Sequence, residues 1–95
     1  MPAFLIADVK ITDPALYDRY KAGVPASLEP YGGRFKVRGN PAIVAEGDWQ
    51  PARLVMLEFP DMKSLKAWYD GPEYQAIIKD RLDGAITNMI FVEGV

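Results

Sequence analysis

Residues 3–11 read Ala3-Phe4-Leu5-Ile6-Ala7-Asp8-Val9-Lys10-Ile11, a run rich in strand formers with apolar side chains on both faces. Leu5, Ala7, Val9 and Ile11 share one face, while Phe4 and Ile6 occupy the other. The same doubling recurs downstream. Within 53–59 (RLVMLEF), Val55, Leu57 and Phe59 oppose Leu54 and Met56; within 86–93 (ITNMIFVE), Met89 and Phe91 oppose Ile90 and Val92. An antiparallel sheet with helices on one side alone would alternate apolar and polar residues. In a chain of 95 residues, the helices can cover one face, and the economical cover for the second is the same face of another copy. The alternative is a monomer whose loops and long side chains shield that face.

Between these strands lie helical signals. Asp13-Pro14 is an N-cap followed by proline at the first helical position, with Leu16, Tyr17 and Tyr20 at helical spacing. Pro25 is expected to break or kink this helix and start a short second one over 25–30, which Tyr31-Gly32-Gly33 ends. Residues 34–38 (RFKVR) alternate as a second strand, placing Arg34, Lys36 and Arg38 on one face. Gly39-Asn40-Pro41 interrupts it, 42–46 (AIVAE) is expected to resume extended structure, and Gly47-Asp48-Trp49-Gln50-Pro51 turns into the third strand. Asp61 caps a helix with Leu65, Trp68 and Tyr69 on one face. Gly71-Pro72 stops it and opens another over 73–83, with Tyr74, Ile77, Ile78, Arg81 and Leu82 as its periodic positions. The order β-α-β-β-α-β describes an α+β, ferredoxin-like domain: a four-stranded antiparallel sheet with helices on one face, spanning residues 1–95.

Composition narrows the chemistry. There is no Cys and no His, which removes disulfides, thiol nucleophiles, Cys- or His-ligated metals and every His-based triad. No metal and no cofactor are expected. A net charge of -2 without a basic face argues against nucleic acid. No apolar run resembles a signal peptide or a spanning helix, so the expectation is a soluble, cytoplasmic protein with no membrane partner. Gly32-Gly33 lacks the spacing of a phosphate loop, and Thr12 and Ser64 sit where helix caps belong.

The order of short motifs resembles one family nearly end to end. Tyr31-Gly32-Gly33-Arg34 with Val37-Arg38-Gly39, Glu46-Gly47-Asp48-Trp49, Leu57-Glu58-Phe59-Pro60, Ala67-Trp68-Tyr69, Pro72-Glu73-Tyr74-Gln75 with Arg81, and Val92-Glu93-Gly94 together resemble the DUF1330 family of small bacterial proteins. Gly71 stands where that family is expected to carry Ser. The resemblance implies a dimeric α/β barrel in which two ferredoxin-like chains pack sheet against sheet. It implies no particular reaction. The wider superfamily includes cofactor-free monooxygenases, muconolactone-type isomerases and haem enzymes, and many members hold small molecules between helices and sheet.

Two functions from different classes follow. One is a cofactor-free enzyme or binder for an aromatic or carboxylate ligand. Tyr20, Trp68 and Tyr74 would contact the ligand's apolar body, Arg38 or Arg81 would hold its anionic group, and Glu58, in an otherwise apolar strand, would be the base if burial raised its pKa. The other is a non-enzymatic assembly or accessory domain, in which the aromatic set fills the core and the charges form ion pairs that stabilise a homodimer.

Overall fold

A computed structural model describes all 95 residues. The elements are β1 (Ala3–Ile11), α1 (Pro14–Leu28), a 3-10 turn (Glu29–Tyr31), β2 (Arg34–Arg38), β3 (Leu54–Phe59), α2 (Met62–Asp70), α3 (Pro72–Gln75), α4 (Ile78–Gly84) and β4 (Ala85–Glu93). The sheet runs β2-β3-β1-β4 with every neighbour antiparallel. This is the ferredoxin-like arrangement. No helix is long and apolar enough to cross a membrane.

β1 is central, paired with β3 on one side and β4 on the other, which is why its alternation is the sharpest in the chain. Ala3, Leu5, Ala7 and Val9 point under the helices and are almost fully buried. Ile11, expected on that same covered face, lies past the helices and is partly exposed. Thirteen residues form one core, with Phe59, Leu65, Trp68 and Tyr74 among its largest buried side chains. The opposite sheet face carries Phe4, Ile6, Leu54, Met56, Ile86, Ile90 and Val92, brought together by the pairs Ile6↔Met56, Ile6↔Ile90 and Phe4↔Val92. No helix covers it, and Ile86, Ile90 and Val92 remain 62%, 59% and 41% exposed.

Asp13 accepts bonds from the Ala15 and Leu16 amides and so starts α1 as expected. The expected break at Pro25 does not occur. α1 runs through Pro25 to Leu28, because Tyr20 and Val24 before the proline and Ser27 and Leu28 after it are all buried on one side. Tertiary packing outweighs the single lost backbone bond. In place of a second helix over 25–30 there is only the 3-10 turn.

Two other boundaries differ from expectation. Residues 42–46 form no strand: β2 is the sheet edge, nothing pairs beyond it, and Ile43 is 95% exposed. Instead 39–53 make one long loop, anchored where the Trp49 indole N–H (2.9 Å) and the Ala52 amide (2.9 Å) donate to the Asp8 carboxylate. The helix expected over 73–83 divides at Ala76–Ile77 into α3 and α4, where the Ile77 amide turns back to the Tyr74 carbonyl at 3.0 Å. Leu82, placed on the buried stripe by periodicity, is 60% exposed.

Candidate functional site

Between the helices and the sheet lies a narrow cleft. Its floor is Leu5, Ala7, Val9, Val55, Leu57 and Met89 from the strands; Tyr17, Tyr20 and Val24 of α1 and Trp68 of α2 form the other wall. Phe35 closes one side. The only charged residues on this apolar lining are Lys21, Arg38, Arg53 and Arg81, and no Asp or Glu is among them. The enclosed volume is about 30 Å³, room for two or three waters and far below the roughly 300–1,000 Å³ of ordinary ligand pockets.

Tyr20 and Arg81 reach the cleft from different helices, and Tyr74 ties them together. The Tyr20 and Tyr74 hydroxyls lie 2.8 Å apart, and Arg81 Nε donates to Tyr74 Oη at 3.1 Å. Tyr74 is sealed from solvent, and its hydroxyl meets its hydrogen-bonding need with Tyr20 Oη and Arg81 Nε. One of the two hydroxyls donates to the other, and Tyr20 also lines the cleft. Burial, with the Tyr74 hydroxyl beside it, pushes the Tyr20 phenol far above its ordinary range, so it acts as a donor and not as a base. Burial likewise raises Tyr74.

Arg81 is only 5% exposed and has no carboxylate partner. Burial opposes its charge, but Tyr74, Tyr20 and Tyr69 outweigh that and keep the guanidinium protonated. Its terminal nitrogens bond no protein group. The break between α3 and α4 contributes here, since it sets the helix carrying Arg81 apart from the turn carrying Tyr74.

Arg38 enters the cleft through an irregularity. Strict alternation would place it with Arg34 and Lys36. Between Phe35 and Val37 the register with β3 slips by one residue, so Arg34 faces Glu58 on the open side while Arg38 pairs with Val55 on the covered side. There its guanidinium lies 4.3 Å from the Phe35 ring centroid, at the solvent edge of the cleft. Arg53, just before β3, packs 5.7 Å from the Tyr17 ring centroid. Its Nε is buried without a partner.

Trp68 and Tyr74 are less available to a ligand than expected. Both are fully buried, and the Trp68 indole N–H donates to Ser27 Oγ at 3.0 Å, which in turn donates to the Val24 carbonyl. Trp68 lines the cleft, and Tyr74 does not. Glu58 is not brought to the site at all. It lies on the open face of β3, where Arg34 Nη2 at 2.9 Å and Lys36 Nζ at 3.6 Å hold it, and the Arg34 bond lowers its pKa instead of burial raising it. The face assignment follows from its pairing with Phe4; it was legible from the period of two in 53–59.

Gly71 also finds a reason. A Cβ there would come within 2.5 Å of the Tyr31 hydroxyl, which donates to Glu73 at 2.6 Å across the α2–α3 corner. The missing side chain gives Tyr31 its path to Glu73.

The fold defines a small ferredoxin-like domain with a narrow cleft between helices and sheet. The chain belongs to the DUF1330 family, the domain of unknown function whose model matches residues 2–95. Among solved structures, a protein of unknown function from Rhodopseudomonas palustris is similar at 18% identity and TM-score 0.75, over 99% of this chain and 82% of that one. SnoaB, a cofactor-independent oxygenase from Streptomyces nogalater, is similar at 10% identity and TM-score 0.70, over 99% and 93%. A dimeric ferredoxin-like protein of unknown function from Bacteroides fragilis is similar at 14% identity and TM-score 0.67, over 98% and 96%. These likenesses concern the fold. No curated protein sequence matches the chain.

Proposed function

We propose that this protein is a homodimer that binds a small organic acid in the cleft between helices and sheet. One observation carries the proposal: the apolar cleft is lined by three arginines and a lysine with no acidic residue among them. Of these only Arg81 is buried, and it has no counterion; Arg53 is half-buried, Arg38 lies at the exposed edge, and Lys21 pairs with Asp18. A charge held out of water in this way carries a desolvation cost that a bound anion would offset. The hydroxyl and cationic side chains at the lining (Tyr17, Tyr20, Lys21, Arg38, Arg53 and Arg81) all have protons to donate. The ligand they fit is an acceptor: a carboxylate, or an enolate-like oxygen, on an apolar or aromatic body. With Glu58 on the far face and Tyr20 held protonated, binding and polarisation are better supported than proton abstraction by the protein.

The homodimer is supported by the uncovered apolar sheet face and by the dimeric assembly of similarly folded proteins. A cofactor-independent reaction like that of SnoaB would suit a chain without Cys or His, and it rests on likeness of fold alone. The test is calorimetry and thermal melting with benzoate, using benzamide as the neutral isostere and sodium chloride at equal ionic strength. Benzoate should raise the melting temperature by mass action, with about 2.7 kcal/mol of stabilisation at a hundredfold excess over Kd. Equal shifts from benzoate, benzamide and chloride would defeat the proposal.

The complete burial of Trp68 and Tyr74 favours a second reading, a non-enzymatic assembly domain whose aromatic residues serve the core. On that reading Trp68→Ala and Arg81→Ala lower stability or dissociate the dimer, and no acid shifts the melt.

A further inference from the structure

A second cavity of about 320 Å³ sits beside the cleft, inside the base of the β2–β3 loop. Gly39, Asn40, Gln50 and Arg53 are among its lining, and that lining is mostly polar. Its volume alone reaches the low end of ordinary ligand sites. Arg53 also lines the narrow cleft, which makes its side chain the partition between the two spaces. The guanidinium lies flat against Gly39, whose φ of 72° and missing side chain make room for it; a Cβ there would collide with Nη1. On the cleft side it faces the Tyr17 ring, and its buried Nε has no partner.

We infer that the two cavities are halves of one ligand site joined at Arg53, and that the site takes an acid carrying a second oxygen at its far end. This rests on the proposed ligand-binding role of the cleft. The carboxylate lies in the loop cavity, where the Arg53 fork holds it bidentately and satisfies Nε. The apolar body enters the cleft beside Tyr17. The distal oxygen accepts from the Tyr20 hydroxyl, which lines the cleft, and from the terminal nitrogens of Arg81, which bond no protein group. The Tyr17 and Tyr20 rings, 5.4 Å apart, form the wall between the two arginines, each of which sits against one of them.

The test uses the full chain, isothermal titration calorimetry and three probes: 4-hydroxybenzoate, benzoate and phenol. The wild-type chain should bind 4-hydroxybenzoate most tightly. Arg53→Met should weaken it at least about tenfold, roughly 1.4 kcal/mol, while phenol affinity stays within about twofold of wild type. Arg53→Lys keeps the charge without the planar fork and should fall between; it carries the test if Arg53→Met does not fold. Unchanged 4-hydroxybenzoate binding in the Arg53 variants overturns the assignment of Arg53 but leaves the cleft a ligand site. No binding of any probe to wild type overturns both. Binding of benzoate as tightly as 4-hydroxybenzoate removes the distal oxygen from the inferred ligand.

Discussion

The two faces of the sheet are built from the same strands and have different fates. On the covered face, Leu5, Ala7, Leu57 and Phe59 meet Trp68 and Leu65, and little apolar surface remains in water. On the open face, Ile6, Met56 and Ile90 line up through the register as a matching apolar band, yet half or more of Ile86 and Ile90 is exposed. The charges divide in the opposite sense. The open face satisfies its own, with Glu58 held by Arg34 and Lys36 and Asp8 by the Trp49 indole. The covered face keeps Arg53 and Arg81 without counterions. The proposed homodimer would cover the apolar surface, and the proposed anion would meet the charge of Arg81, which is buried, and of Arg53, which is half-buried.

The comparison breaks most sharply at its centre. Trp68→Ala empties the middle of the covered face and should cost about 3–5 kcal/mol, lowering the melting temperature by roughly 12 °C or more. A loss under about 1 kcal/mol in urea melts would mean that the covered face is not the stabilising one.

Ile90→Asp tests the opposite face. In the proposed homodimer it places a charge in the middle of the apolar interface, so analytical ultracentrifugation should show monomer where wild type shows dimer. A wild-type monomer, or a variant that dimerises as before, removes the open face as the interface.

Ser27→Ala is a finer probe of the covered face. It leaves the buried Trp68 N–H without an acceptor and should cost about 1–3 kcal/mol, several times an ordinary exposed Ser→Ala. Chemical denaturation of the single variant decides this.

The smallest effect is electrostatic. Glu58 titrates below its ordinary 4.5, chiefly through its bond to Arg34. A carboxylate lowered in the folded state contributes fully above its unfolded pKa, and that contribution is lost as pH falls through the folded value. Wild type should therefore lose stability on acidification from about pH 5 downward more steeply than Glu58→Gln. Identical slopes would show that the ion pair contributes nothing.

Much of this was legible in the residues. The period of two in 3–11 and 53–59 placed Leu5, Val9, Leu57 and Phe59 together, and Asp13-Pro14 and Asp61 marked two helix starts to the residue. Pro25 misled because its local cost is small beside the burial of Tyr20, Val24 and Leu28 on the same helix. The segment 42–46 misled because strand propensity needs a partner, and the sheet ends at β2. Of the candidate ligand residues, Tyr20, Arg38, Trp68 and Arg81 line the cleft, and Tyr74 lies behind them, bonded to Tyr20 and Arg81. Arg53, at the head of 53–59, is one of the charges expected near a covered surface, and it too reaches the cleft. Its role depends on Gly39, fourteen positions earlier, whose bare backbone makes room for the guanidinium.

The sequence by itself determined the element order, the two-faced strands and the absence of Cys and His chemistry, because these depend on local spacing and residue identity. The tertiary structure decided which charges share a space. A one-residue slip in β2 carried Arg38 to the covered face, and the long loop carried Gly39 to Arg53. Glu58 was left on the other side of the sheet. Such placements follow from register and loop closure between distant segments, which no local pattern encodes.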